Sequence, residues 1–216
     1  MKYKAALFDL DGTLLDTLRD IADSVNKALS SLGFPEHDID AYKYFVGDGE
    51  DILAFRALPE DRRDTSMVNK VLKLFQESYS IHWGDYTHPF PGIPEMLDSM
   101  TDAGVRMAIC SNKGQRFVEA TVSALLPKWH FDVVLGAQPS VPTKPNPKGV
   151  LHIAAQMKLK PIDFLYLGDS GVDMKTAVAA GMYPVGVLWG YRKAEELLPA
   201  GAIALVKKPA DVLLLF

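Results

Sequence analysis

Residues 5–17, Ala5-Ala6-Leu7-Phe8-Asp9-Leu10-Asp11-Gly12-Thr13-Leu14-Leu15-Asp16-Thr17, constrain this chain more than any other stretch. An apolar run stops abruptly at Asp9, and a second carboxylate, a glycine and a hydroxyl follow. A buried strand that ends this way delivers Asp9 and Asp11 to the edge of a sheet, where ligands bind in open α/β folds. An acidic turn would account for Asp11-Gly12, because both residue types favour turns. It would not explain why Asp9 closes an apolar strand. A motif this short gains meaning only from its context.

Downstream, Leu18, Ile21, Ala22, Val25, Ala28, Leu29 and Leu32 recur at helical spacing, and Gly33 supplies the stop. Val46-Gly47-Asp48-Gly49-Glu50 is a glycine-flanked acidic loop, leading into a short apolar helix that Pro59 ends. A further helix starting at Asp64 or Thr65 places Val68, Val71, Leu72, Phe75 and Tyr79 on one face. From about Asp16 to about Trp83 the chain therefore reads as helical, with no strand signal. Proline-rich punctuation at residues 88–94 marks a boundary.

Beyond it, strands at 105–110, 131–135, 164–167, 183–188 and 202–206 alternate with helices. This alternation predicts an α/β fold with a doubly wound parallel sheet. Residues 1–15 and 84–216 form the core domain, and residues 16–83 form an inserted helical domain. An insertion that long exceeds a simple crossover and is placed to act as a lid over the site.

With 216 residues, 48% of them hydrophobic, the chain can bury a sizeable core. A net charge of −4 argues against an extended nucleic-acid or anionic-membrane surface. Cys110 is the single cysteine and cannot form an internal disulfide, which suits a reducing compartment. The basic start is followed by an apolar run cut at Asp9, too early for a signal peptide. No stretch approaches the roughly 20 apolar residues of a membrane span. The expectation is a cytoplasmic protein, monomer or homodimer, with neither a nucleic-acid nor a membrane partner.

Four strand ends on one sheet edge carry polar groups: Asp9 with Asp11, Ser111, Lys144 in the loop opening a later helix, and Asp169 with Asp173. Each has an ordinary reading. Ser111 could be a helix N-cap, Lys144 a solvated lysine, and Asp169 and Asp173 residues of a first helical turn. Together they resist it, because converging carboxylates repel unless a cation or proton offsets them. All-oxygen ligation suits Mg2+. A lysine, a hydroxyl and N–H groups at helix starts make a receptor for a phosphoryl group. One carboxylate can then act as nucleophile and its neighbour as acid and base.

The chain resembles the haloacid dehalogenase superfamily of phosphatases over essentially its whole length. Residues 9–17 match the first motif, Ile109-Cys110-Ser111-Asn112-Lys113 the second, Lys144-Pro145-Asn146-Pro147 the third, and residues 168–174 the fourth. The pattern is most similar to the phosphoglycolate phosphatase-like branch. The resemblance implies a Rossmann-like core with a helical cap, and a small phosphorylated metabolite as substrate. It implies that Asp9 carries an aspartyl-phosphate and that Asp11 protonates the leaving oxygen and then deprotonates water. Mg2+ would be held by Asp9, the Asp11 main-chain carbonyl and Asp169, with Asp173 ligating directly or through water. Ser111, the Asn112 N–H and Lys144 would hold the transferring oxygens. The dehalogenase branch lacks the second aspartate of the first motif, which is present here.

Substrate choice falls to the cap, where Tyr42, Lys43, Gly47, Asp48, Gly49, Glu50 and Arg56 are candidates. Lys43 or Arg56 turned inward would favour a small anionic substrate such as phosphoglycolate; both also fit a solvated helix face. A sugar-phosphate mutase or a pyrophosphatase of the same family would share the motifs. A phospho-receiver domain shares the acidic pocket, hydroxyl and lysine, but is about half this length and lacks the insertion.

Overall fold

In the computed structural model, which describes residues 2–216, the first element is strand β1 (Ala5–Phe8), buried along its whole length. After a short strand β2 (Leu15–Asp16), the chain enters four helices, α1 (Leu18–Ser31), α2 (Ile39–Phe45), α3 (Glu50–Ala57) and α4 (Thr65–His82). Strand β3 (His88–Pro89) brings it back to α5 (Ile93–Asp102), β4 (Arg106–Gly114), α6 (Gln115–Leu125) and β5 (Val133–Ala137). Next come α7 (Lys148–Gln156), β6 (Phe164–Gly168), α8 (Gly171–Ala180), β7 (Tyr183–Val187), α9 (Ala194–Leu197) and β8 (Ala204–Val206).

Six strands form one parallel sheet in the order β5-β4-β1-β6-β7-β8. Ala6 and Phe8 of β1 point to one face, where they pack with Met96 and Leu97 of α5 and Val118 of α6. Ala5 and Leu7 point to the other, against Val150 and Ile153 of α7 and Ala177 of α8. Because helices cover both faces, the central strands are apolar on both sides. The strand order reverses direction at β1, flanked by β4 and β6, and a crevice opens at such a point outside the carboxyl ends.

Helices α1–α4 enclose an apolar cluster of their own, including Ile21, Val25, Leu29, Leu53, Val71 and Phe75. The i, i+3, i+4 spacing of Leu18, Ile21, Ala22, Val25, Ala28 and Leu29 supplies the buried stripe of α1. Asp64 caps α4, its side chain accepting from the Met67 N–H at 3.1 Å.

Two local features differ from the sequence reading. Asp16 lies in a strand rather than a helix: Leu15 and Asp16 pair antiparallel with Pro89 and His88. Both crossings into the helical layer thus run through one ribbon, and a two-residue strand carries no periodicity to detect. The buried Asp20 carboxylate reinforces this junction, accepting from the Tyr86 N–H at 3.0 Å, the Thr87 N–H at 2.8 Å and the Thr87 hydroxyl at 2.6 Å. Strand β4 also continues past Cys110 through Gly114, with a shift in pairing that lets Gly114 meet Ala137 of β5.

Candidate active site

Asp9 follows β1 directly, its N–H donating to the Leu167 carbonyl at 2.9 Å, and so sits at the carboxyl edge between β4 and β6. Asp169 follows β6, and Asp173 lies in the first turn of α8, whose start Ser170 and Asp173 cap reciprocally. One carboxylate oxygen from each of Asp9, Asp169 and Asp173 falls within 4.8 Å of the others, and all three residues are buried. Burial, then the Asp173 charge, pushes the Asp9 carboxyl well above the usual carboxylate range. The same two causes push Asp169 up to about 7. Three buried carboxylates this close repel one another unless a cation or proton offsets them, and an all-oxygen donor set fits Mg2+.

Glycines let the backbone come this close. Gly12 has φ +83°, and a Cβ there would overlap the Asp169 carboxylate. A Cβ on Gly190 would run into Asp169 and the Gly12 carbonyl. The loop holding Gly190 also supplies the Tyr191 N–H, which donates to the Asp169 carboxylate at 2.8 Å.

Lys144 reaches this group from the loop before α7. Its ammonium lies 2.9 Å from Asp9 and 2.7 Å from Asp173. Burial opposes its charge, but the Asp173 and Asp9 carboxylates outweigh that and raise its pKa. Asp173 is fully occupied: Lys144 and the Tyr166 hydroxyl bond one oxygen, and the Ser170 N–H and hydroxyl bond the other. Asn112 fixes the Lys144 backbone, its Oδ1 accepting from the Lys144 N–H at 2.8 Å and its Nδ2 donating to the Lys144 carbonyl at 3.0 Å.

Asp9, Asp11, Ser111, Asn112 and Asp169 line one cavity beneath the helical layer. Its upper wall comes from Ile21, Leu53, Phe75 and Tyr79, with Val46, Gly47, Gly49 and Glu50 at the side. The helical layer is bonded down onto the sheet edge. Asn112 Nδ2 donates to the Gly47 carbonyl at 3.0 Å, the Gly114 N–H to Glu50 at 2.9 Å, and Arg192 Nη2 to the Val46 carbonyl at 3.0 Å.

Asp9, Asp11, Ser111, Asn112 and Asp169 thus share this cavity, while Lys144 and Asp173 stand beside Asp9 and outside its wall. Gly47 and Gly49 line it as well. Lys43, Asp48 and Arg56 do not. Lys43 pairs with Asp40 at 2.7 Å on an exposed face, and Arg56 pairs with Asp48 at 2.6 Å and bonds the Tyr44 and Phe45 carbonyls. Each cation has its carboxylate close by on the helical layer, which keeps it out of the cavity.

Sequence reasoning gave no role to Lys113, Tyr79, Tyr191 and Arg192, all of which line the cavity. Lys113 is buried, with its ammonium 2.8 Å from Asp11 and 2.7 Å from the Tyr79 hydroxyl. Its position directly after Ser111-Asn112 was the available signal; Tyr79 was counted as one more apolar-face residue of α4.

Comparisons agree with this geometry. A family model described as haloacid dehalogenase-like hydrolase matches residues 6–187. The chain is 34% identical over 211 residues to a phosphoglycolate phosphatase of Mesorhizobium japonicum, covering 94% of this chain and 92% of that one. It is 31% identical over 209 residues to a phosphoglycolate phosphatase of Nitrosospira multiformis, covering 95% and 92%. A crystal structure of a predicted phosphoglycolate phosphatase from Haemophilus somnus superposes with a TM-score of 0.92 at 26% identity, covering 100% of this chain and 98% of that one.

Proposed function

The chain belongs to the haloacid dehalogenase-like hydrolases, in their phosphoglycolate phosphatase-like branch, and on that premise we propose that it is a Mg2+-dependent phosphomonoester hydrolase working through an aspartyl-phosphate. The observation that carries this reading is Asp9 and Asp11 on one cavity under the helical layer, with Asp169 and Asp173 grouped beside Asp9.

Asp9 attacks phosphorus, forming an O–P bond as the ester P–O bond breaks, and Asp11 hands its proton to the departing oxygen. Asp11 then takes a proton from water, which attacks the same phosphorus and returns Asp9 as a carboxylate. Asp9, the Asp11 main-chain carbonyl and Asp169 would hold Mg2+, which when bound neutralises charge on the transferring phosphoryl group. Asp173 has both oxygens committed to protein donors and would serve the ion through water. The Ser111 hydroxyl and the Asn112 N–H bind transferring oxygens. Lys144 keeps Asp9 aimed and has one N–H left for the phosphoryl group. Helices α1–α4 act as a cap that shields the cavity from bulk solvent while leaving room for the one attacking water.

The substrate is a small phosphorylated metabolite, with phosphoglycolate the first candidate because the relatives carry that name. Among the described residues no helix is long and apolar enough to cross a membrane. Cytoplasmic placement rests on the single buried Cys110. The test is phosphate release from phosphoglycolate, sugar phosphates, nucleoside monophosphates and pyrophosphate, each with Mg2+ and with EDTA. Mg2+-dependent release that singles out phosphoglycolate is expected. No release from any of them, with isomerisation of a sugar phosphate instead, overturns the reading.

A further inference from the structure

We propose that Lys113 and Tyr79 together form a receptor for a carboxylate on the leaving group, completed only when α4 lies over the sheet edge. The inference rests on the phosphatase reading and names the group that selects its substrate.

An ammonium has three N–H donors. Among the described residues Lys113 uses two of them, on Asp11 and on the Tyr79 oxygen, and its nitrogen is buried at the cavity wall. The Tyr79 phenol accepts from Lys113 and gives its own hydrogen to no described partner. Burial pushes that phenol up to about 12, so it keeps its proton. One N–H and one O–H are thus left over side by side, on a wall otherwise apolar at Ile21, Leu53 and Phe75. Leaving two buried donors without an acceptor is costly, and an oxyanion satisfies both at once.

The placement suits a short leaving group. Asp11 is the residue that meets the ester oxygen, and Lys113 is one hydrogen bond further along, where a carboxylate one carbon beyond that oxygen would lie. The other cation of the wall, Arg192, is committed to the seam between helical layer and sheet. Its Nε lies 3.1 Å from Glu196, its Nη2 donates to Val46, and its guanidinium stacks 5.1 Å over the Tyr44 ring. Glu50, at the side of the cavity, has both oxygens engaged, accepting from the Gly114 N–H and the Gln76 amide. Lys43 and Arg56 are paired with Asp40 and Asp48, and neither lines this cavity. The selective charge therefore comes from the core, and the cap contributes a neutral phenol.

The test is calorimetric binding, with Mg2+ present, of two non-hydrolysable probes: 3-phosphonopropionate, which carries the carboxylate, and propylphosphonate, which does not. The wild type should favour the carboxylate probe. Tyr79→Phe, which keeps the ring stacked on Phe75 and against Phe117, should narrow that preference about tenfold. Lys113→Met should erase it, and Arg192→Met should leave it in place. Equal binding of both probes by the wild type overturns the proposal. So does an equal loss for both probes in Tyr79→Phe, the mark of a merely structural role. Loss of the preference in Arg192→Met alone transfers the role to that residue and also overturns it. Phosphate release from phosphoglycolate by the wild type, measured in parallel, reports on the phosphatase reading separately.

Discussion

The Lys144 ammonium stands 2.9 Å from an Asp9 carboxylate oxygen, both side chains nearly inaccessible to solvent. A buried pair of this kind is costly to break from one side only, because the surviving charge is stranded. The two single substitutions should therefore behave differently. Asp9→Asn removes a charge that burial already penalises; it should reduce phosphate release to background while the thermal midpoint stays level or rises. Lys144→Met strands Asp9 and Asp173 and should cost about 3–5 kcal/mol in the absence of Mg2+. Denaturant unfolding and phosphate release decide both. Substantial turnover by Asp9→Asn would remove the nucleophile assignment.

Gly190 has no room for a side chain, since a Cβ there would meet Asp169 and the Gly12 carbonyl. Gly190→Ala should push Asp169 out of line with Asp9. Displacements of this order cost on the order of 10²-fold in rate. The readouts are kcat/KM and the Mg2+ concentration giving half-maximal rate. An unchanged Mg2+ requirement would show that Asp169 is not a ligand.

The raised carboxyls make a signed prediction for stability. Burial first, and then the Asp173 charge, push the Asp169 carboxyl up to about 7 in the folded protein, against about 3.9 for an unperturbed aspartate. Between those two values the folded, metal-free protein holds a proton that the unfolded chain has released. Stability must therefore fall as pH rises through that window. Asp9, raised by burial and by Asp173, acts in the same direction. With EDTA present, Tm should drop between about pH 4 and about pH 7, and added Mg2+ should recover most at the alkaline end, where the carboxylates are bare. A Tm that climbs over this interval in EDTA would contradict the burial of these groups.

Lys43 pairs with Asp40 on an exposed face, and Arg56 pairs with a half-buried Asp48 beside the cavity rather than in it. Exposed pairs contribute little, and neither residue lines the cavity. Arg56→Ala and Lys43→Ala should each change kcat/KM for phosphoglycolate by less than about twofold, on the scale of such surface pairs. A tenfold rise in KM for either would bring that side chain back into substrate recognition.

The sequence by itself determined the sheet and the sequence positions of its acidic groups. An apolar run cut by Asp9, and another cut at Gly168-Asp169, read as buried strands with a carboxylate at the exit, because an unpaired charge is costly within an apolar core. Alternation with helices makes those strands parallel and so collects their exits on one edge. That logic is local, carried by neighbouring residues. What only the tertiary structure decided are the contacts made across the chain. Lys113 meets Asp11 across 102 positions, Tyr79 meets Lys113 across 34, and Glu50 meets the Gly114 N–H across 64. Helical periodicity told that Tyr79 faces a core, but a phenol on an apolar face carries no mark of which polar group its hydroxyl will reach. That depends on how α4 settles over the end of β4, and so does the inward aim of Lys113. These are outcomes of packing between surfaces distant in sequence, which no spacing within either segment encodes.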